Sequence, residues 1–96
     1  MLAAFENWIR EQRSTFCSMG YELEITKSSM DVDNLSIRLD FDSESLIGRV
    51  TLWESGDCQL ELMDIKSETT LVDRHIKMEK EIEIDEKLAS FMFELE

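Results

Sequence analysis

Residues 34–65 alternate between apolar and polar side chains, and this alternation constrains the fold more than any other feature of the sequence. The segment contains three such runs, separated by a short break at residues 43–45 and by Ser55-Gly56-Asp57. A period of two places successive side chains on opposite faces of a strand, so we expect three consecutive antiparallel strands. Gly56 can take the positive φ that a tight hairpin requires. One face of this sheet is then apolar, and the other carries acids, a few bases and Trp53.

Two more strands and two helices complete the predicted fold. Residues 21–27 and 70–78 alternate in the same way and predict a first and a fifth strand. Residues 2–17 and 84–95 repeat apolar side chains at helical spacing, and Asp85 is a candidate cap of the second helix. Strands joined by short links favour an antiparallel meander, and both amphipathic helices need its apolar face. We therefore expect an α+β fold in the order helix, five strands, helix, with both helices on one face of a single domain over residues 1–96.

The chain is strongly acidic. Twenty-two Asp and Glu against ten Lys and Arg give a net charge of −12 at pH 7, and the acids are spread along the sequence. Because Lys and Arg supply the affinity for phosphate, we expect no binding to nucleic acid or to a membrane surface. A protein partner with a basic surface is the natural complement, although acidity can also serve solubility alone.

The N-terminal residues and the cysteines both favour the cytoplasm. Residues 1–13 lack the basic segment, apolar stretch and cleavage site of a signal peptide, and no apolar run is long enough to span a bilayer. Cys17 and Cys58 are too few and too isolated to form a metal site. They could pair with each other, but in a cytoplasmic protein we expect both to be buried free thiols.

The residue types that carry catalysis or bind metals are sparse. His75 is the one histidine and stands on a predicted strand beside Asp73 and Arg74. A single histidine needs a nucleophile or a second acid for catalysis, and the alternation indicates an exposed strand residue. Asp40 opens an acid-rich stretch, but Ser45 and Thr51 stand where a calcium loop would need glycine and glutamate. No glycine-rich phosphate loop is present. The sequence therefore indicates a protein that is not an enzyme and needs no metal or cofactor.

The polar face of the predicted sheet is the candidate binding surface. A tryptophan among carboxylates is typical of an interface, in which the ring anchors the partner and the acids steer it. The alternative is that Trp53 packs under a loop or against a helix and that the acids are merely solvated. The predicted partner-binding residues are Asp40, Asp42, Arg49, Trp53, Glu54, Asp57 and Glu61.

Several segments resemble the TriTu family of bacterial immunity proteins. The most specific is the strand and turn from Ile47 to Gly56, which ends Trp-Glu-Ser-Gly. Further similar segments are residues 40–43 and 61–65, the first helix with Phe5, Trp8 and Ile9, and the strand at Tyr21. The resemblance implies a small cytoplasmic antidote of a polymorphic or contact-dependent toxin system, which binds one cognate toxin.

The acidic composition agrees with what the resemblance implies. Many such toxins act on nucleic acid and present a basic cleft to phosphate, which an acidic inhibitor can occupy. We expect an immunity protein that neutralises a nuclease-type toxin through its acidic surface, as a monomer or weak homodimer. The alternative is a non-enzymatic structural or adaptor module, for instance a secretion chaperone or a homodimer that pairs through an exposed sheet edge.

Overall fold

The computed structural model describes residues 1–95 and has an α+β architecture. In chain order its elements are α1 (Leu2–Ser18), β1 (Glu22–Lys27), β2 (Ser36–Asp42), β3 (Leu46–Trp53), β4 (Asp57–Asp64), β5 (Thr69–Lys77) and α2 (Glu83–Glu94). The strands form one antiparallel sheet in the order β1-β2-β3-β4-β5, so neighbours in sequence are neighbours in space. The predicted helix, five-stranded meander and second helix are confirmed.

The period-two pattern divides the sheet into two faces, as predicted. One of them, which we call the packed face, presents a contiguous set of buried side chains because the strand register places their apolar positions side by side. Its central residues are Ile37, Leu39 and Phe41 in β2, Gly48, Val50 and Leu52 in β3, and Cys58, Leu60 and Leu62 in β4.

Both helices lie on the packed face. Their buried residues are Phe5, Trp8, Ile9 and Phe16 in α1 and Ile84, Leu88 and Phe91 in α2. The ring of Phe41 lies 5.2 Å from that of Phe16 and 6.0 Å from that of Phe91, measured between centroids. A single side chain of β2, Phe41, therefore lies against both helices.

Two glycines are required by the packing around the hairpins. A Cβ at Gly48 would overlap the buried ring of Phe41 on the neighbouring strand. Gly56 has a φ of +96°, and its carbonyl accepts a hydrogen bond from the backbone N–H of Met78 at 2.7 Å. This bond ties the β3–β4 hairpin to the segment that leads into α2.

The pairing of the last two strands contains an irregularity. Leu62 pairs with Val72, whereas Met63 pairs with Thr70, so Leu71 is an extra residue on β5. Such a β-bulge bends the strand and increases its local twist. Because β5 is an edge strand, the bulge lies in the outermost strand pair of the sheet.

The prediction that Asp85 caps the second helix is wrong. α2 begins at Glu83, so Asp85 lies inside its first turn and makes no capping hydrogen bond. The Oε1 atom of Glu83 instead accepts hydrogen bonds from the backbone N–H groups of Glu79 at 3.1 Å and Lys80 at 2.9 Å. The chain before the helix is thus stabilised by a residue of the helix itself.

The prediction that both cysteines are buried holds for only one of them. Both are free thiols, but Cys17 is exposed on α1. Cys17 is the residue after the buried Phe16, and one residue corresponds to about 100° of rotation around a helix of 3.6 residues per turn. Its side chain therefore lies away from the buried side of α1. Cys58 is buried on the packed face, and desolvation raises the pKa of its thiol to about 12.

Candidate partner-binding surface

The face of the sheet opposite the helices carries more acids than bases, and we call it the open face. The strand register assigns it these outward positions: Glu22, Glu24 and Thr26 in β1, Ser36, Arg38, Asp40 and Asp42 in β2, Ile47, Arg49, Thr51 and Trp53 in β3, Asp57, Gln59, Glu61 and Met63 in β4, and Thr70, Asp73, His75 and Lys77 in β5. Both helices pack on the other face, so these side chains are left to interact with one another and with solvent.

A row of charged side chains crosses the middle of the open face. Cross-strand pairing aligns Glu24, Asp40, Arg49, Glu61 and Asp73, one from each strand in order. Arg49 is the one cation in this row. Two pairs of like charges, Glu24 with Asp40 and Glu61 with Asp73, therefore face each other directly, an arrangement that disfavours the sheet unless something offsets it.

Asp40 is held between two arginines. The Nε of Arg38 donates to its Oδ2 atom at 2.8 Å, and the Nε of Arg49 donates to its Oδ1 atom at 2.7 Å. The hydrogen bond to Asp40 raises the pKa of the Arg49 guanidinium, and the charge of Glu61 adds to that effect. Asp40 therefore positions two arginines and does not present a free negative charge.

Asp57 is also engaged within the molecule. It accepts a hydrogen bond from the Ser55 hydroxyl at 2.7 Å, and its carboxylate lies 3.2 Å from Nε2 of His75 and 3.7 Å from Nζ of Lys77. The hydrogen bonds from Ser55 and then from His75 lower the pKa of Asp57. His75 is exposed on β5, as predicted.

Six of the seven predicted partner-binding residues, all except Glu54, hold outward positions on the open face, but they do not form one cluster. Asp40, Arg49 and Glu61 are consecutive members of the central row. Trp53 is half-buried at the β3–β4 hairpin, with the exposed Glu54 in the adjoining turn, whereas Asp42 lies opposite Ile47 at the other end of β3. From residue 47 to residue 53 the strand covers about 20 Å at 3.3 Å per residue. The open face thus has Trp53 at one end, Asp42 and Ile47 at the other, and the charged row between them.

Three features of the open face were missed in reading the sequence. Arg38 shares Asp40 with Arg49, Asp73 faces Glu61, and the exposed Ile47 pairs with Met63 across β3 and β4. The exposure of Ile47 could have been predicted, because the alternation places this apolar residue on the polar side of its strand.

Neither a metal cluster nor a membrane-spanning helix is found within residues 1–95. No group of three or more His, Cys, Asp or Glu side chains there is arranged to hold a metal ion. Neither of the two described helices has the length and hydrophobicity needed to cross a bilayer.

Comparison with known proteins gives one match that covers almost the whole chain. A family model described as immunity protein TriTu matches residues 3–94. No curated protein shows a significant match. Apart from Leu2 at the start of α1, the matched range includes the described helices and strands and all of the open face.

Proposed function

This chain belongs to the TriTu family of immunity proteins, and we propose that it neutralises its cognate toxin by binding it through the open face. Membership of the family implies a toxin partner and indicates a non-enzymatic role. The observation that supports the choice of surface is the contrast between the two faces of the sheet. Both helices bury one face, whereas the other exposes a predominantly acidic set of side chains.

The charge of the open face favours a toxin with a basic surface. A nuclease-type toxin must present Lys and Arg to phosphate, so its substrate cleft attracts carboxylates as well. Asp42, Glu54 and Glu61 are the predicted site acids that form no ion pair within 4 Å among the described residues. These three acids steer the encounter, whereas Asp40 and Asp57 organise neighbouring side chains.

Trp53 and Arg49 supply the directional contacts. A half-buried tryptophan at the hairpin offers a large, rigid apolar area, and tryptophan is enriched among residues that dominate binding energy. Arg49 is already oriented by its 2.7 Å hydrogen bond to Asp40, so little freedom is lost when a partner contacts it.

The same proposal places the protein in the cytoplasm of the cell that makes it, within a polymorphic or contact-dependent toxin system. Two free thiols suit a reducing compartment. An antidote that waits there must capture an incoming toxin quickly, and electrostatic steering raises association rates to about 10⁸–10⁹ M⁻¹s⁻¹ at low salt.

Binding kinetics with the toxin domain encoded by the neighbouring open reading frame test the proposal. We expect a one-to-one complex whose association rate falls at least about tenfold between low and high salt, because screening removes steering. Trp53→Ala should speed dissociation about 30-fold, the size of a typical hot-spot loss. We also expect a monomer or weak homodimer, which a sizing measurement at micromolar concentration checks.

A pair of charge reversals identifies the face that is used. Glu61→Lys on the open face should slow association, whereas Glu11→Lys on the exposed side of α1 makes the same change in charge and should leave binding nearly unaltered. If the α1 variant lost binding and the variants at Glu61 and Trp53 did not, the toxin would be bound by the helices, and the proposed surface would be wrong.

A further inference from the structure

An exposed apolar pair stands at the end of the open face away from Trp53. Ile47 and Met63 are 43% and 36% exposed and are direct cross-strand partners on β3 and β4. Leu71, the extra residue of the β5 bulge, lies near this end of the sheet and is 52% exposed. Large apolar residues exposed together on an otherwise polar face are typical of an interaction site.

A cleft lies between this apolar pair and the charged row. Ile47 and Met63 line one side of it, and Arg49, Glu61 and Asp73 line the other. The two rows of outward side chains are separated along each strand by one inward residue, which leaves the space between them. The cleft measures about 280 Å³. Small-molecule sites occupy about 300–1,000 Å³, so this one is suited to a single long side chain.

Among the residues that line the cleft, Arg49 is the one cation, and its hydrogen bond is to Asp40 and not to Glu61 or Asp73. Glu61 and Asp73 are direct partners on β4 and β5, and no ion pair within 4 Å involves either of them in the described part of the chain. Asp73 accepts a hydrogen bond from the neutral Gln59 amide at 2.7 Å. The guanidinium of Arg49 is turned to Asp40. A cation placed between the two carboxylates would relieve their repulsion.

We propose, resting on the proposed function, that this cleft receives one lysine or arginine side chain of the cognate toxin. The aliphatic stem of that side chain packs on Ile47 and Met63, as long basic side chains do on apolar surface. Its charged end lies between Glu61 and Asp73 and forms charge-assisted hydrogen bonds with both carboxylates. The apolar end of the open face, and not only the Trp53 end, then contributes to recognition.

Removing the two carboxylate charges tests the charged side of the cleft. The double variant E61Q/D73N should bind the neighbouring-frame toxin domain at least about 30-fold more weakly, because the basic side chain would be buried without a counter-charge. The double variant E11Q/E86Q removes the same charge from the helices and should bind within about twofold of the wild type, as exposed charges do. Equal losses in the two double variants would overturn the proposal.

Replacing one apolar residue tests the other side. Ile47→Ser should speed dissociation about tenfold, because it removes the surface on which the stem packs. Ile82 is 80% exposed and lies just before α2, so Ile82→Ser makes the same chemical change away from the cleft. Equal dissociation rates for the two variants would show that the cleft is not occupied.

A small probe examines the cleft without the toxin. Nα-acetyl-arginine methylamide, titrated at millimolar concentration against the ¹⁵N-labelled protein, should shift the amide resonances of Gly48, Met63 and Thr70, and the shifts should disappear in E61Q/D73N. The norleucine analogue should not produce them. Shifts that survive in the double variant, or no shifts at these amides, would refute the cleft. A protein that takes up the probe but does not bind the toxin domain would instead refute the proposed function.

Discussion

The two faces of the sheet are built by the same strands, yet they are organised by different forces. On the packed face every buried side chain among the described residues is hydrophobic, and the rings of Phe41, Phe16 and Phe91 meet at its centre. On the open face, half-exposed charges share partners, as Asp40 does with its two arginines. Burial and close packing make the first face the source of stability. The second face can be specialised for recognition because its contacts contribute little to folding.

The largest expected change in stability follows removal of the Phe41 ring at the centre of the packed face. Phe41→Ala should lower the free energy of unfolding by about 3–5 kcal/mol, because it removes buried area and leaves a cavity between β2 and both helices. Asp42→Ala, one residue further on and on the open face, should cost less than about 0.5 kcal/mol. Urea denaturation measures both values. Similar losses at the two positions would contradict the division of roles.

A smaller loss is expected when a methyl group is added to the packed face. Gly48→Ala should destabilise the protein by about 1–3 kcal/mol, because the new Cβ overlaps the Phe41 ring and the core must shift. In the double variant G48A/F41L, part of the cost should be recovered, which a double-mutant cycle in urea detects. Simple addition of the two single effects would mean that these side chains do not compete for space.

A weaker effect is expected from the most connected charge on the open face. Asp40→Asn should destabilise the protein by about 0.5–1 kcal/mol, because two guanidinium groups lose their common carboxylate in a partly solvated setting. Glu24→Gln, at the position of β1 that faces Asp40, removes an opposed acid and is the matched control; it should not destabilise the protein. The difference should shrink in high salt, and a loss as large as that of Gly48→Ala would show that the open face also carries the fold.

The smallest expected effect is a change in the pH dependence of stability through Asp57. Its pKa is lowered in the folded protein from an ordinary value of 3.8, so the stabilisation is present above that pH and is lost as the pH falls through the folded value. Asp57→Asn should therefore lose less stability than the wild type between neutral and acidic pH. Thermal melts at pH 7 and pH 3 measure this difference, with Asp33→Asn as a control in an exposed loop. An unchanged pH dependence would mean that the Ser55 and His75 contacts do not hold in solution.

The faces themselves were predictable from the sequence, because alternation in 34–65 reports which side chains are buried. The meander order was equally accessible, since short links join antiparallel neighbours. Gly48 is a small residue at an apolar-side position of this alternation. The reason that a side chain is excluded there, the ring of Phe41 on β2, emerges only when the two strands are in register.

The partners of the charges were not predictable in the same way. Asp40 lies beside Arg49 because the β2–β3 connection sets which residues face each other, and one residue of slip would separate them. No glycine or proline near Leu71 indicates in the sequence that β5 contains a bulge there. Asp85 has a side chain suited to capping, but α2 begins two residues earlier. The charge pairs, the bulge and the start of α2 depend on strand register and on where each element begins and ends. The pattern of apolar residues defines these poorly.

The bulge at Leu71 has a consequence for how copies of this protein behave towards one another. β5 is an edge strand of the sheet. A straight edge strand exposes a continuous row of backbone N–H and C=O groups with which an extended chain can pair. The additional residue bends β5 and increases its twist, so the groups along its outer edge do not form one straight ladder. A bulge of this kind disfavours the addition of another strand at this edge, and so opposes edge-to-edge aggregation there.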